Sequence, residues 1–219
     1  MSAPPASERP FIFVLAGVNG AGKSSVGGAL LAENGLDWFN PDSFARELTA
    51  SLGIDPQRAN GLAWEHGRQQ LENALREGRN HAFETTLGGN TIALMLAQAA
   101  RTHDVVMLFC GLSSPEQHLS RVRLRVARGG HDIPQAKIRE RWVKSRLNLV
   151  ALMPYLAHLQ VFDNSTDVEP GEEIPDPLLV LEMADGHLLS PDPQDVQALQ
   201  ATPEWARPLV QAAIERLPG

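Results

Sequence analysis

Residues 11–25 read FIFVLAGVNGAGKSS, an unbroken apolar run that passes directly into Gly17-Val18-Asn19-Gly20-Ala21-Gly22-Lys23-Ser24-Ser25. The spacing is G-x-x-x-x-G-K-[ST], in the context that pattern requires: behind a strand and ahead of a helix-forming run. Gly20 and Gly22 allow the backbone to curl so that its N–H groups face phosphate oxygens, where side chains would block approach. Lys23 supplies a point charge for the β- and γ-phosphates. Ser24 offers a hydroxyl to Mg²⁺, and the helix that starts there adds its positive dipole end. The candidate nucleotide-binding segment is therefore Gly17, Asn19, Gly20, Ala21, Gly22, Lys23, Ser24 and Ser25, with Ser24 as the metal-facing residue. The ligand expected is a nucleoside triphosphate.

Outward from this segment, strands alternate with helices. Strands are expected over residues 11–17, 36–40, 81–86, 104–112 and 159–163. Helices are expected over 23–33, 43–52, 56–77, 91–102, 114–128 and 134–157. Such alternation predicts an α/β fold, a parallel sheet covered by helices on both faces, with ligands at the carboxyl ends of the strands. Residues 1–10 (MSAPPASERP) read as a mobile tail. Past Asn164 the chain turns acidic and Pro-rich, then shows two apolar runs around Asp185-Gly186, a hairpin signal. A helical tail interrupted by Pro203 and Pro208 follows. The organisation expected is a tail over 1–10, a core over 11–165 that includes a lid over 114–157, and an extension over 166–219 packed on the core.

The chain has 219 residues, 43% hydrophobic and 21% charged, which suits one globular α/β domain with modest additions. Its net charge of −7 argues against non-specific nucleic-acid binding, which needs an excess of Lys and Arg. No apolar stretch approaches the 18 residues of a membrane span, and residues 1–10 lack a secretory apolar core, so the cytoplasm is the expected compartment. The one cysteine, Cys110, lies in an apolar run and reads as a small buried hydrophobe.

Two carboxylates follow predicted strands. Asp42, in Asn40-Pro41-Asp42, would stand beside the γ-phosphate, accepting a proton from an acceptor hydroxyl or helping to hold Mg²⁺. Alternatively, Asp42 or Ser43 simply caps the next helix. Glu84, in Phe83-Glu84-Thr85-Thr86, would bind an acceptor hydroxyl or reach the metal through water, unless it is an exposed strand-end residue. Thr85 and Thr86 read equally as acceptor contacts and as β-branched strand formers. A lid is suggested by Arg121, Arg125 and Arg128 at i, i+4 and i+7, joined through Gly129-Gly130-His131 to a helix bearing Lys137, Arg139, Arg141, Lys144 and Arg146. In an acidic protein, this density of cations fits a polyanion held beneath two helices. The plain alternative is a solvated basic face. His131 reads as a structural hinge residue. Asn164 reads equally as a purine-edge reader and as a turn former. Trp38, Trp64, Trp142 and Trp205 read as packing residues.

Absent are an apolar strand ending in Asp-Glu, the mark of a motor-type ATPase, and Asn-Lys-x-Asp, the guanine reader of GTPases. The ordered series Gly17–Ser25, Asn40-Pro41-Asp42, Phe83-Glu84-Thr85-Thr86, RVRLRVARGGH over 121–131, IPQAKIRERWVKSRLN over 133–148 and Asp163-Asn164-Ser165 resembles the zeta-toxin family of P-loop kinases, in its short bacterial branch. The resemblance covers residues 11–165. It implies a P-loop nucleoside-triphosphate kinase fold that uses ATP and Mg²⁺, with UDP-N-acetylglucosamine as the acceptor of the well-studied members and an antitoxin protein as partner. It also implies Asp42 as general base, Glu84 as acceptor-binding acid, and Arg128 and Arg141 as the γ-phosphate clamp, with Arg121 and Arg125 as rivals for that role. Much of the long toxins' sugar-nucleotide elaboration is not recognisable here, so the expected acceptor is a small, nucleotide-sugar-like alcohol. A binding module gated by nucleotide is the competing class. A nucleotide sensor, however, has no need of two carboxylates facing an arginine lid.

Overall fold

The computed structural model describes residues 9–28, 31, 37–130, 132–168 and 175–216. Strand β1 (Phe11–Ala16) is flanked by β2 (His81–Thr85) and β3 (Asp104–Gly111), and β3 pairs in turn with β4 (His158–Asp163). These four run parallel. Beyond β4 the hairpin β5 (Leu178–Ala184) and β6 (His187–Ser190) continues the same sheet in antiparallel sense, giving the order β2-β1-β3-β4-β5-β6 among the described residues. The Asp185-Gly186 turn carries φ of 49° and 79°, the two positive values that a tight hairpin turn demands. The hairpin therefore extends the sheet itself, in addition to packing on the core.

β1 shows why both faces must be covered. Ile12, Val14 and Ala16 pack into one apolar cluster and Phe13 and Leu15 into another, the period-two alternation of a doubly buried strand. The first face is covered by α3 (Pro56–Glu77), α4 (Asn90–Ala99), α6 (Gln135–Leu152) and α8 (Arg207–Ile214), through Leu71, Leu96, Leu149 and Leu209 among others. Leu31, Val26 and Trp38 cover the second. A short α7 (Val196–Ala201) precedes α8, whose Pro208 lies in its first turn, where a missing N–H costs nothing.

Adjacent strands β1 and β3 send their outgoing chains to opposite sides, β1 toward β2 and β3 toward β4. Such a switch point opens a crevice at the carboxyl ends of the strands. The register brings Ala16 beside Thr85 and Phe109, and Gly111 beside Asp163, so all four strand ends line this one edge.

Several expected boundaries shift. Helix α1 is described over Lys23–Val26, and residues 29–30 and 32–36 lie outside the described residues. The expected strand over 36–40 reduces to one bridge, Phe39 to Phe83, because Pro41 starts α2 (Pro41–Leu52) directly afterwards. The two helices expected as a lid run over α5 (Pro115–Ala127) and α6, followed by a 3₁₀ turn over Met153–Tyr155. His131 and residues 1–8 of the expected tail also lie outside the described residues. No helix among the described residues is long and apolar enough to cross a membrane.

Candidate active site

The loop after β1 is held from behind at three points. The Gly17 amide donates to the Thr85 carbonyl at 3.2 Å, fixing the loop to β2. His118 of α5 donates from Nδ1 to the Asn19 carbonyl at 2.9 Å. Asn164, just past β4, donates from Nδ2 to the Ala21 carbonyl at 2.9 Å. In a trans peptide the carbonyl and the next N–H point opposite ways, so anchoring these two carbonyls turns the N–H groups of Gly20 and Gly22 away from their anchors. Gly22 has φ of 82°, and a side chain there would run into Asn164. Val18 packs with Leu119, Val122, Ile133 and Ile138, joining the loop to α5 and α6.

Burial lowers the His118 pKa to about 4, with its bond to the Asn19 carbonyl partly opposing. The ring is thus neutral near pH 7 and carries its proton on Nδ1, the nitrogen that faces the carbonyl acceptor. Asn19 itself is only 3% exposed, and its Oδ1 accepts from Arg141 Nη1 at 2.7 Å. Both lid helices therefore grip the same loop residue, α5 through its carbonyl and α6 through its side chain.

Two cleft lobes meet here. One, of about 860 Å³, runs from the glycine loop beneath Arg121, Arg125, Arg128 and Gly129-Gly130. The other, of about 600 Å³, lies between the end of β2 and helices α3 and α6. It is lined by Phe39, Trp64, Arg68, Thr85, Thr86, Lys137, Arg141 and Lys144. Lys23, Asp42 and Glu84 border both lobes.

The two carboxylates have different surroundings. Glu84 is 7% exposed, and its Oε1 accepts from Ser24 Oγ at 2.7 Å and from Trp38 Nε1 at 3.2 Å. Since the Ser24 proton is spent on Glu84, the lone pairs of Oγ stay available to a cation. Asp42 is half exposed, 3.8 Å from Arg125 across the cleft mouth. It does not cap α2: Asn40 does so, its Oδ1 accepting from the Ser43 amide at 3.1 Å. This leaves the Asp42 carboxylate without a capping task.

The basic residues separate similarly. Arg121 is committed to Asp167 at 2.8 Å and to the Thr166 carbonyl, and its hydrogen bonds hold the Asp167 carboxyl below its usual range. Arg139 pairs with Glu116, Lys137 and Lys144 pair with Glu140, and Arg146 stacks over Trp142 at 3.5 Å. Arg141 is more deeply set. Burial lowers its pKa, which the Asp42 charge opposes. Arg128 is exposed at the end of α5 and borders the larger lobe. Thr85 and Thr86 accept from the amides of Leu87 and Gly88, which shapes the turn after β2.

Packing alone does not describe the tryptophans. Trp38 donates to Glu84, Trp64 is 48% exposed on the smaller lobe, and Trp205 donates to Asp163 at 3.1 Å. None belongs to a sequence motif, so only folding brings them to the site. Burial pushes the Cys110 thiol up to about 12, as suits an inert core residue.

The donor set fits a magnesium-bound triphosphate. Among the described residues no group of three His, Cys, Asp or Glu could hold a metal unaided. Mg²⁺ on a nucleotide needs only a hydroxyl or carboxylate or two, its other positions going to phosphate and water. Ser24, backed by Glu84, meets that need.

Among curated proteins none matches this chain. The fold is shared with solved structures of low identity. The AvrRxo1-ORF1:AvrRxo1-ORF2 complex with sulphate ions is 18% identical, with a TM-score of 0.61 over 90% of this chain and 64% of that one. The same pair with ATP is 19% identical at a TM-score of 0.59, over 82% and 60%. This chain thus spans less than two thirds of the length of either. The PezAT toxin–antitoxin system of Streptococcus pneumoniae is 16% identical at 0.57, over 96% and 87%. The architecture these structures share with this chain is a P-loop kinase fold. The family model described as AAA domain matches residues 12–145, more than half of the sequence, and the chain belongs to that family.

Proposed function

We propose that the protein is a zeta-toxin-like kinase that transfers the γ-phosphate of ATP to a hydroxyl of a small, nucleotide-sugar-like acceptor. The observation that carries this reading is the pair of lobes meeting at Lys23, Asp42 and Glu84. A kinase must hold two substrates in line on either side of one reacting phosphorus.

The larger lobe, with the glycine loop at its base, takes the nucleotide; Lys23 offsets the charge of its terminal phosphates. Ser24, with Glu84 behind it, would hold Mg²⁺, which would supply charge neutralisation for the phosphates. The acceptor lies in the smaller lobe against Trp64, Thr85 and Thr86. Asp42 takes the hydroxyl proton as that oxygen bonds to the γ-phosphorus, while the bond to the β–γ bridging oxygen breaks and ADP leaves. Arg141 and Arg128 stabilise the charge that spreads over the equatorial oxygens. An antitoxin protein is the partner this reading favours, supported by the likeness in fold to a toxin–antitoxin system.

The test is incubation with ATP labelled at the γ-position, Mg²⁺ and a metabolite extract, followed by mass spectrometry. One new phosphorylated alcohol, made by the wild type and not by Lys23→Ala, is expected. Nucleotide binding without any labelled product would instead favour a nucleotide-gated binding protein.

A further inference from the structure

We infer that Trp205, which belongs to the C-terminal segment outside the glycine loop and the lid, is a positioning residue for the nucleotide lobe, acting through Asp163. What that lobe binds rests on the kinase reading above; the positioning itself rests on the contacts alone.

Trp205 is 4% exposed and sits between α7 and α8. Its indole lies flat against Gly111 at the end of β3, where even a methyl group would overlap the ring. From there Nε1 donates to Asp163 Oδ1 at 3.1 Å. The same oxygen accepts from Ser165 Oγ. Ser165 is fixed in turn by the Ser113 amide, which donates to its hydroxyl at 2.8 Å, and by Gln117, whose side chain donates to its carbonyl. Asn164 lies between Asp163 and Ser165. Its amide donates to the Gly111 carbonyl at 3.0 Å, and its side chain holds Ala21 of the glycine loop. Two donors converging on one carboxylate oxygen thus set the turn at residues 163–165, and that turn sets the loop. Arg146 of α6 secures the far end, donating to the Trp205 carbonyl at 3.3 Å.

An indole is required because the position must fill the surface over Gly111 and donate one hydrogen bond. Phenylalanine fills most of that space and cannot donate. Removing a donor from a partly buried carboxylate acceptor is worth roughly a fivefold to tenfold change in an equilibrium the acceptor controls.

The experiment compares full-length wild type, Trp205→Phe, Ser165→Ala and the double variant. Hydrogen exchange is followed in peptides covering 17–24 and 163–167 without ligand, and AMP-PNP affinity with Mg²⁺ is measured by calorimetry. Trp205→Phe should speed exchange in those two segments, leave β1 and β2 protected, and weaken AMP-PNP about fivefold to tenfold. The double variant should be less than additive, since both side chains act on one oxygen. Unchanged exchange at 17–24, or equal acceleration across β1 and β2 as well, would overturn the inference. Faster local exchange in a protein whose wild type takes no AMP-PNP would sustain the positioning role and remove the kinase reading instead.

Discussion

Glu84 and Asp42 border the same cleft and are built for different work. Glu84 is buried and committed to Ser24 and Trp38, whereas Asp42 is half exposed, with Arg125 3.8 Å away and the Arg141 charge acting on it. A carboxylate that must take up and release a proton each cycle suits the second setting. Asp42→Asn should therefore lower turnover by roughly 10²–10⁴-fold while ATP affinity stays close to wild type. Steady-state kinetics with a separate binding measurement checks this, and equal loss of ATP binding would reassign Asp42 to the metal. Glu84→Gln keeps an acceptor for Ser24 but loses the charge behind it. The Mg²⁺ concentration for half-maximal activity should rise, by about 10–100-fold if Glu84 acts as an outer-shell partner. A magnesium titration that superimposes on the wild type would count against that role. The sequence placed both acids at strand ends; it had no means of showing which was buried, because the partners Glu84 bonds, Ser24 and Trp38, come from distant segments.

At the scale of the element, the two basic helices α5 and α6 are both fastened to one asparagine. The helical spacing of Arg121, Arg125 and Arg128 was legible in the sequence, but their tasks differ because partners arrive from elsewhere in the chain. Arg121 holds Asp167, Arg125 faces Asp42, and Arg128 borders the larger lobe. Arg141→Ala and Arg128→Ala should each reduce kcat more than they raise the apparent KM for ATP, by about 10²-fold or more in kcat, if they act mainly in the transition state. Lysine at either position should fail to restore the rate, since a point charge cannot bind two oxygens in a fork. Stopped reactions across an ATP series separate the two constants, and full activity in both alanine variants would leave the lid arginines as a solvated face. Arg121→Ala should act differently, loosening the 164–167 turn with little direct effect on transfer.

The whole molecule ties acid stability to the site. His118 titrates near 6.5 when unfolded and near 4 when folded, chiefly because burial disfavours its charged form. The unfolded chain takes the proton first, so its contribution to stability is level above about pH 6.5 and is lost as pH falls toward 4. His81 and His103 are also shifted down by burial and add to the same acid limb. His118→Gln should make melting temperature less steep across that window; an unaltered slope would show that His118 is not its main source. By itself the sequence determined the glycine loop, the alternation of strand and helix, and the Asp185-Gly186 turn. These are local matters, settled by spacing, periodicity and residues whose backbone preferences are strong. Tertiary structure alone decided that Asn40 caps α2 in place of Asp42, that Trp38 donates to Glu84, and that the C-terminal hairpin extends the central sheet. It also brought Trp205 to Asp163, across 42 residues of chain. Contacts of that kind depend on which surfaces remain to be buried once the sheet has formed, and no periodicity in the chain records them.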